Sequence, residues 1–306
     1  MSAEPEFRSY YGRPILKEPA WRVPDVPLYL FLGGTAGASA TTAALADLTG
    51  RPGLARAGRW AAIGCATASV GALIHDLGRP KRFLHMLRVI KPTSPLSVGS
   101  WILAPFSSLA GAAVASEVTG LLRGPGRAAG LAAGAVGPAM CTYTAVLLAD
   151  TAIPSWHDAH RELPFLFAGS AMASAAGTLM IAAPVREQAP VRHLAALGGA
   201  VELVAARRVE HANGLSGEPY LIGRAGKLLR TGRALTAAGV GLSAVSGLVA
   251  RRSRRLGRAT AVLSGAALVA AGLCTRFGVY EAGVASARDP KYVVVPQRER
   301  VSAGTE

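Results

Sequence analysis

The chain has 306 residues, of which 51% are hydrophobic and only 17% are charged, and its formal net charge is +15. Soluble domains carry about 25% charged residues, so this composition excludes an ordinary soluble globular protein. A basic chain can bind nucleic acid, but here Lys and Arg are scattered over the loops between apolar blocks. That pattern is typical of membrane topology and of contact with anionic lipid, so no nucleic-acid partner is predicted.

The chain starts with a polar, proline-rich segment, residues 1–25, which has neither the apolar core nor the cleavage site of a signal peptide. Eight apolar blocks follow, each close to the ~20 residues that an α-helix needs to cross a bilayer. The blocks are residues 26–46, 58–77, 100–122, 128–149, 163–184, 191–212, 228–250 and 257–279. We predict an all-α integral membrane protein, with a bundle of eight transmembrane helices in residues 26–284 and a C-terminal tail, residues 285–306.

Eight spans place both chain ends on the same side of the membrane, here called side A. Side A also holds the loops 78–99, 150–162 and 213–227, whereas the loops of the opposite side, side B, are short. Side A has more Lys and Arg in total, although the densest basic cluster, residues 251–255, lies on side B. By the positive-inside rule, the total predicts that side A of this plasma-membrane protein is cytoplasmic.

Polar side chains gather near the side-A ends of the predicted spans. An ionisable group inside a bilayer is costly, so each one is a candidate functional residue. The candidates are His75, Asp76, Tyr143, Asp150, Glu202 and Arg276. An acid, a phenol and a cation within an apolar bundle can hydrogen-bond a carbonyl-bearing apolar ligand such as a quinone, and Asp76 and Glu202 are the candidates for proton transfer. In the alternative interpretation, Asp76 and Asp150 mark helix ends and Tyr143 is an interfacial aromatic residue.

The segment between the second and third spans carries most of the local signals. Gly78 can adopt the left-handed conformation that ends a helix, and Pro80 suits the first turn of a new one. Residues 81–90 then predict a short amphipathic helix at the membrane surface, which Pro92 ends. Its apolar face comprises Phe83, Met86, Leu87 and Ile90. Ser100 is the predicted N-cap of the third span.

Three stretches of the chain resemble the polysulfide reductase membrane-subunit family, also called the NrfD/PsrC family. They are DLGRPKRFLHMLRVIKPTSPLSVGSW at 76–101, YTAVLLADTAIPSW at 143–156 and RFGVYEAGVASARDPKY at 276–292. The resemblance implies a membrane subunit of about eight helices, without haem, that binds menaquinone or ubiquinone. The three cysteines are isolated within apolar blocks, so we also expect neither an iron–sulfur cluster nor another metal site in this chain.

The family resemblance also implies partners and residue roles. A four-cluster ferredoxin-like iron–sulfur subunit docks on side A and connects the membrane subunit to a molybdenum or tungsten catalytic subunit. Tyr143 matches the tyrosine that contacts quinone, Asp76 and Arg79 match the pocket rim or docking face, and His75 is a candidate for a histidine that span 1 lacks. The predicted docking residues are Arg82, Phe83, His85, Met86, Lys91, Thr93 and Ser94. The tails resemble those of actinobacterial homologues associated with formate dehydrogenase, so formate is the expected donor.

Two other interpretations of the same residues stay open. A proton-translocating or transporter-type subunit without quinone chemistry would use Glu202, Glu117 and Arg276 as a path through the bundle, although no paired Gly/Pro-broken spans support it. A haem-b quinone oxidoreductase would need two histidines at matched depth. His75 and His211 both end predicted spans on side A, but His211 lies at the limit of its apolar block.

Overall fold

The computed structural model describes residues 15–79, 81–212 and 214–303 of the chain. These residues form eleven α-helices and no strand, which confirms the predicted all-α fold class. The helices are α1 Asp25–Leu48, α2 Pro52–Asp76, α3 Lys81–Met86, α4 Pro95–Thr119, α5 Arg123–Ala149, α6 Pro154–Asp158, α7 Leu163–Ala182, α8 Ala189–Ala212, α9 Gly223–Arg252, α10 Arg254–Arg288 and α11 Lys291–Ala303.

Seven of these helices are long and apolar enough to cross a membrane: α1, α2, α4, α5, α7, α9 and α10. All eight predicted blocks coincide with long helices, but α8 is not among these seven. Charged residues interrupt its apolar sequence, namely Arg192, Glu202, Arg207, Arg208 and Glu210. A multi-pass membrane protein is therefore confirmed, whereas the count of eight spans stays a prediction.

Helix α1 lies at the centre of the bundle and packs against α2, α5, α7 and α10. Its glycines allow this close approach, because a Cβ atom on Gly37 would lie 2.5 Å from the carbonyl oxygen of Gly137 in α5. The small-residue pattern in the first span therefore brings two helix backbones into direct contact. The other strong pairings are α7 with α8 and α9 with α10.

Contacts between helix ends show that neighbouring long helices run antiparallel. On side B, Asp47 at the end of α1 meets Arg127 near the start of α5, and Glu187 accepts a hydrogen bond from the backbone N–H of Leu54 at 2.8 Å. On side A, Glu18 pairs with Arg288 at the end of α10, with 3.0 Å between oxygen and nitrogen. The segment before α1 and the end of α10 thus lie together on side A. That side A is cytoplasmic stays a prediction.

The segment between α2 and α4 differs in part from its predicted form. Gly78 has a φ of +67° and ends α2 as expected. The short helix covers only residues 81–86, because Ser97 accepts a hydrogen bond from the Lys91 backbone and donates one to the Val89 carbonyl, which holds residues 89–91 out of helical geometry. Pro80 lies outside the described residues.

Two further expectations about this segment are corrected. Ser100 is not an N-cap, since α4 already begins at Pro95 and the Ser100 hydroxyl bonds the Leu96 carbonyl within the helix at 2.8 Å. Ile90 does not share a buried face with Phe83, because the helix ends before it and its side chain is 67% exposed. A proline at the first helical position fixes the start of α4 earlier than the apolar pattern indicates.

Candidate functional site

Two buried tyrosines form the centre of the candidate site. Tyr29, one turn into α1, and Tyr143, near the end of α5, share a hydrogen bond between their hydroxyl groups. Their rings meet edge to face, with 6.5 Å between centroids. Two hydroxyls that share one hydrogen bond retain one further O–H hydrogen, which is free to be donated to a third group. Tyr143 was predicted as a site residue, whereas its pairing with Tyr29 was not.

A narrow crevice leads to the tyrosine pair between α1, α2, α4 and α5. Its walls are largely apolar, and Met86 of the short helix α3 contributes to them. The lining residues are Tyr29, Leu73, Met86, Pro95, Leu96, Gly99, Ser100, Leu103, Tyr143 and Leu147. Leu96 is 45% exposed, so this wall reaches the surface near side A. The walls are closely packed and leave no free space between them, so a flat apolar ligand with one hydrogen-bond acceptor would enter only where these side chains part.

Gly99 holds the Tyr143 ring in position. A Cβ atom at Gly99 would lie 2.7 Å from Cε2 of Tyr143, which is closer than real carbon atoms approach. At Gly111, in the same helix, the nearest atom to a Cβ would be Cδ1 of Ile63 at 3.7 Å. These two glycines therefore form a matched pair, one in contact with the site and one in open packing.

We expect Gly99→Ala to lower the thermal stability of the purified protein, because overpacking costs about 1–3 kcal/mol. Gly111→Ala should leave stability unchanged or raise it slightly, since alanine favours a helix over glycine by up to about 1 kcal/mol. Thermal unfolding in detergent measures both variants. A Gly99→Ala midpoint equal to that of Gly111→Ala would contradict the packing of Tyr143 on α4.

Asp76 and His75 lie at the side-A end of α2 and contact the start of the chain. A carboxylate oxygen of Asp76 accepts a hydrogen bond from the Arg22 backbone N–H at 2.8 Å. Nδ1 of His75 lies 2.7 Å from a carboxylate oxygen of Asp25. Neither side chain lines the crevice, but Leu73, about one turn before Asp76, does. The predicted role of these residues at the rim of the crevice therefore stays a prediction.

Aromatic packing fastens the start of the chain to α10. Trp21 stacks on Trp156 with 5.6 Å between ring centroids, and the Tyr280 hydroxyl donates a hydrogen bond to the Trp21 carbonyl at 2.8 Å. Trp156 is fully buried and lies directly over Gly283, where a Cβ atom would overlap its ring. The second and third family-like motifs therefore meet in this aromatic cluster, a role that the sequence analysis missed.

Arg276 and Glu202 form a second polar region deeper in the bundle. Arg276 donates to the Phe167 carbonyl at 2.8 Å and to the Leu30 carbonyl at 3.4 Å, and its guanidinium lies 3.7 Å from the centroid of the Phe167 ring. Glu202 accepts hydrogen bonds from Thr275 at 2.7 Å and from Thr236 at 3.1 Å. This region is separate from the tyrosine pair, although Leu30 directly follows Tyr29 in α1.

The remaining predicted site residues lie on the side-A surface. Asp150 follows α5 and is exposed. Arg79 is also exposed, and its carbonyl accepts a hydrogen bond from the Arg82 backbone at 2.9 Å. The predicted docking residues fall into an exposed group, Arg82, His85, Lys91 and Thr93, and a half-buried group, Phe83, Met86 and Ser94. Of these residues, Met86 also lines the crevice.

Residues 17–117 match the family model of Polysulphide reductase, NrfD. Within this range the chain is similar to the NrfD family. The resemblance predicted from the motifs is therefore confirmed over this third of the chain, and the family is one of membrane subunits of quinone-linked oxidoreductases. A search of curated proteins finds no match to the chain.

The NrfD-family match covers part of the candidate site. It includes Tyr29, His75, Asp76, Gly99 and the segment with α3, whereas Tyr143, Glu202 and Arg276 lie beyond it. Tyr29 and Gly99 are the candidate site positions that sequence reasoning missed within the match. Among the described residues, no three His, Cys, Asp or Glu side chains lie close enough to hold a metal ion.

Outside the membrane spans, a small polar network fixes the remaining side-A loops of the chain. The Tyr220 hydroxyl donates to the Ser155 carbonyl at 2.8 Å, and Glu218 pairs with Lys291 at 3.0 Å. Burial, with a smaller effect from the nearby Asp158 carboxylate, raises the pKa of the Tyr220 phenol, so it stays a neutral hydrogen-bond donor. The network ties α6 and α11 to the turn between α8 and α9.

Proposed function

We propose that this chain is the membrane anchor and quinone-reactive subunit of a multi-subunit oxidoreductase. In this role it passes electrons between an iron–sulfur partner and menaquinone or ubiquinone. The observation that carries the proposal is the hydrogen-bonded pair Tyr29–Tyr143 at the inner end of an apolar crevice, in a chain whose N-terminal third matches the NrfD family.

The chemistry of the crevice lining suits a quinone, for which the closely packed walls would have to part. The phenol pair has one O–H hydrogen left to donate to a carbonyl oxygen, and Leu73, Leu103 and Leu147 offer apolar walls to a ring. A bound quinone supplies carbonyls that take up electrons and protons. Tyr29 and Tyr143 would orient one carbonyl, and Asp76, about one turn beyond Leu73, is the candidate that exchanges protons with side A.

A second groove offers a less suitable place for this chemistry. It lies between α7 and α8, measures about 630 Å³, and is lined by Phe165 and Val204 with Arg161, Glu162 and Arg208 among its other residues. Its polar groups are charged and mostly exposed, so water screens them and solvates them well. The buried phenols provide a neutral, oriented donor in an apolar setting, which favours the crevice.

The exposed residues of the segment after α2 support a docking face for the iron–sulfur partner. Arg82, His85 and Lys91 present basic or titratable groups to side A, beside the wall that Met86 gives to the crevice. A partner seated there would place its nearest cluster close to the tyrosine pair. A ferredoxin-like subunit joined to a molybdenum or tungsten enzyme, with formate as the donor, is the finer form of this proposal, as is a cytoplasmic side A in the plasma membrane.

Reversing charge on the docking face should test the assembly. A basic docking face calls for an acidic surface on the partner. We therefore expect Arg82→Glu with Lys91→Glu to release the iron–sulfur subunit and abolish quinone-linked turnover, because the new carboxylates would repel that surface. The matched control is Arg252→Glu with Arg255→Glu, two exposed arginines on side B. Co-purification and quinone reduction by the complex from membranes measure both. A wild-type chain that isolates without any iron–sulfur partner would contradict the proposed function.

One observation favours a second candidate function, a proton path through the bundle. Glu202 is 2% exposed in the interior, and Nη1 of Arg276 is buried without a hydrogen-bond partner among the described residues. The buried hydroxyl of Ser174 in α7 is likewise unpaired there. Polar groups of this kind can hold water and relay protons. A path of this kind can coexist with quinone chemistry on side A.

A further inference from the structure

Charged side chains line a cleft on side B, far from the tyrosine pair. It lies where α1 and α4 end and where α2 and α5 begin, and it encloses about 320 Å³. Its ionisable lining consists of four arginines and two acids, namely Arg56, Arg59, Arg123, Arg127, Asp47 and Glu117. The lining therefore carries a surplus of two positive charges at neutral pH.

The two acids leave most arginine donors unused. Glu117 accepts from Nε of Arg56 at 2.9 Å and from Nε of Arg59 at 2.6 Å. Asp47 accepts from Nε of Arg127 at 2.6 Å and lies 3.7 Å from Nη1 of Arg59. Each guanidinium has five N–H donors, so these contacts orient the arginines and still leave several N–H groups for a further anion.

Arg123 differs from the other three arginines of the cleft, because it is paired with no acidic side chain of the described residues. It forms no ion pair within the described part of the chain, and it occupies the first position of α5, where backbone N–H groups are also unpaired. A guanidinium and a helix start that face one cleft both favour negative charge, and phosphate in particular. The free arginine therefore supplies an observation independent of the paired residues.

Exposed apolar side chains surround the cleft at the level where the spans end. Leu45, Trp60, Val118, Leu121 and Leu122 are each at least half exposed. A charged cleft beside such residues lies where a lipid headgroup and its acyl chains meet a membrane protein. Free phosphate would use the arginines alone, whereas a phospholipid would use both features.

We propose that this side-B cleft binds the phosphate group of an anionic phospholipid, with Arg123 and the outward N–H groups of Arg56, Arg59 and Arg127 as its donors. The lipid fastens the ends of α1 and α4 to the starts of α2 and α5. This site is independent of the quinone function, because it lies at the opposite membrane surface from Tyr29 and Tyr143.

Native mass spectrometry of the full-length protein in detergent tests the site, with added phosphatidylglycerol as the probe. The wild-type protein should retain one phosphatidylglycerol more strongly than phosphatidylcholine. Arg123→Gln should lower that retention about fivefold, the effect of one basic group near an anionic headgroup, and Arg123→Glu should lower it further. Because Arg123 pairs with no carboxylate, neither variant leaves a carboxylate without its partner.

Arg252→Gln is the matched control, since Arg252 is also an exposed side-B arginine but ends α9, away from the cleft. It should retain phosphatidylglycerol like the wild type. Equal retention in the Arg123 and Arg252 variants would overturn the proposal. So would displacement of the lipid by inorganic phosphate at similar concentration, because it would identify a site for free anions, and so would equal retention of phosphatidylcholine.

Discussion

Tyr143→Phe should lower the quinone-linked turnover of the assembled complex by about 100-fold, because a positioned proton donor contributes roughly that much or more. The substitution removes only the hydroxyl that bonds Tyr29 and keeps the ring that packs on Gly99. We expect Tyr29→Phe to act to a similar degree, since each hydroxyl orients the other. The double variant should be little worse than either single one, as is usual for residues that act as a unit.

Steady-state quinone reduction, measured beside the yield of the complex, separates this effect from a loss of assembly. Tyr220→Phe is the matched control, because Tyr220 is also buried near side A but bonds the Ser155 carbonyl away from the crevice. It should keep full turnover. Unchanged turnover in both Tyr29→Phe and Tyr143→Phe would remove the crevice from consideration as the quinone site.

Arg276→Leu should destabilise the folded protein by about 1–3 kcal/mol, the usual cost of removing one partner of a buried hydrogen bond. The variant removes the side-chain donor to the carbonyls of Leu30 and Phe167 and takes the buried cation out of the polar region that also holds Glu202. Thermal unfolding of the detergent-solubilised protein should show a clearly lower midpoint. Arg252→Leu, at an exposed position, should leave the midpoint near that of the wild type.

A double variant distinguishes charge from packing in this result. Arg276→Leu with Glu202→Gln should be less destabilised than the sum of the two single variants, because the glutamine carries no unpaired charge. Strict additivity would mean that Arg276 acts only through its bonds to the two carbonyls and its contact with the Phe167 ring.

The fold class follows from the sequence because bilayer-length apolar blocks leave few alternatives to helices. The same criterion is weaker for α8, where Glu202 and the arginines interrupt the apolar run although the helix forms and packs on α7. The helix stop at Gly78 was also predictable, since a glycine can adopt a positive φ at low cost. The short extent of α3 was not, because it depends on one serine side chain, Ser97, that bonds the backbone.

Only one of the two tyrosines of the candidate site was predicted from the sequence. Tyr143 stood in a recognisable motif, but Tyr29 was one of several polar residues in the first span. A depth argument favours the pairing, because Tyr29 lies about 6 Å inside the start of α1 and Tyr143 about 9 Å inside the end of α5. Which faces of α1 and α5 meet, however, is decided by the contact between Gly37 and Gly137, and a single sequence does not reveal which helices are neighbours.

The pairing of Glu18 with Arg288, together with the packing of Trp21 on Trp156, has a topological consequence. The end of α10 therefore returns to the segment that precedes α1. The helices α1–α5 and α7–α10 are then connected at two places. One is the segment between α5 and α7, and the other is the contact between the residues before α1 and the end of α10. A circularly permuted chain could therefore begin at the turn between α4 and α5, with a linker from the end of α11 to the segment before α1. We expect it to retain every helix and every crossing of the membrane.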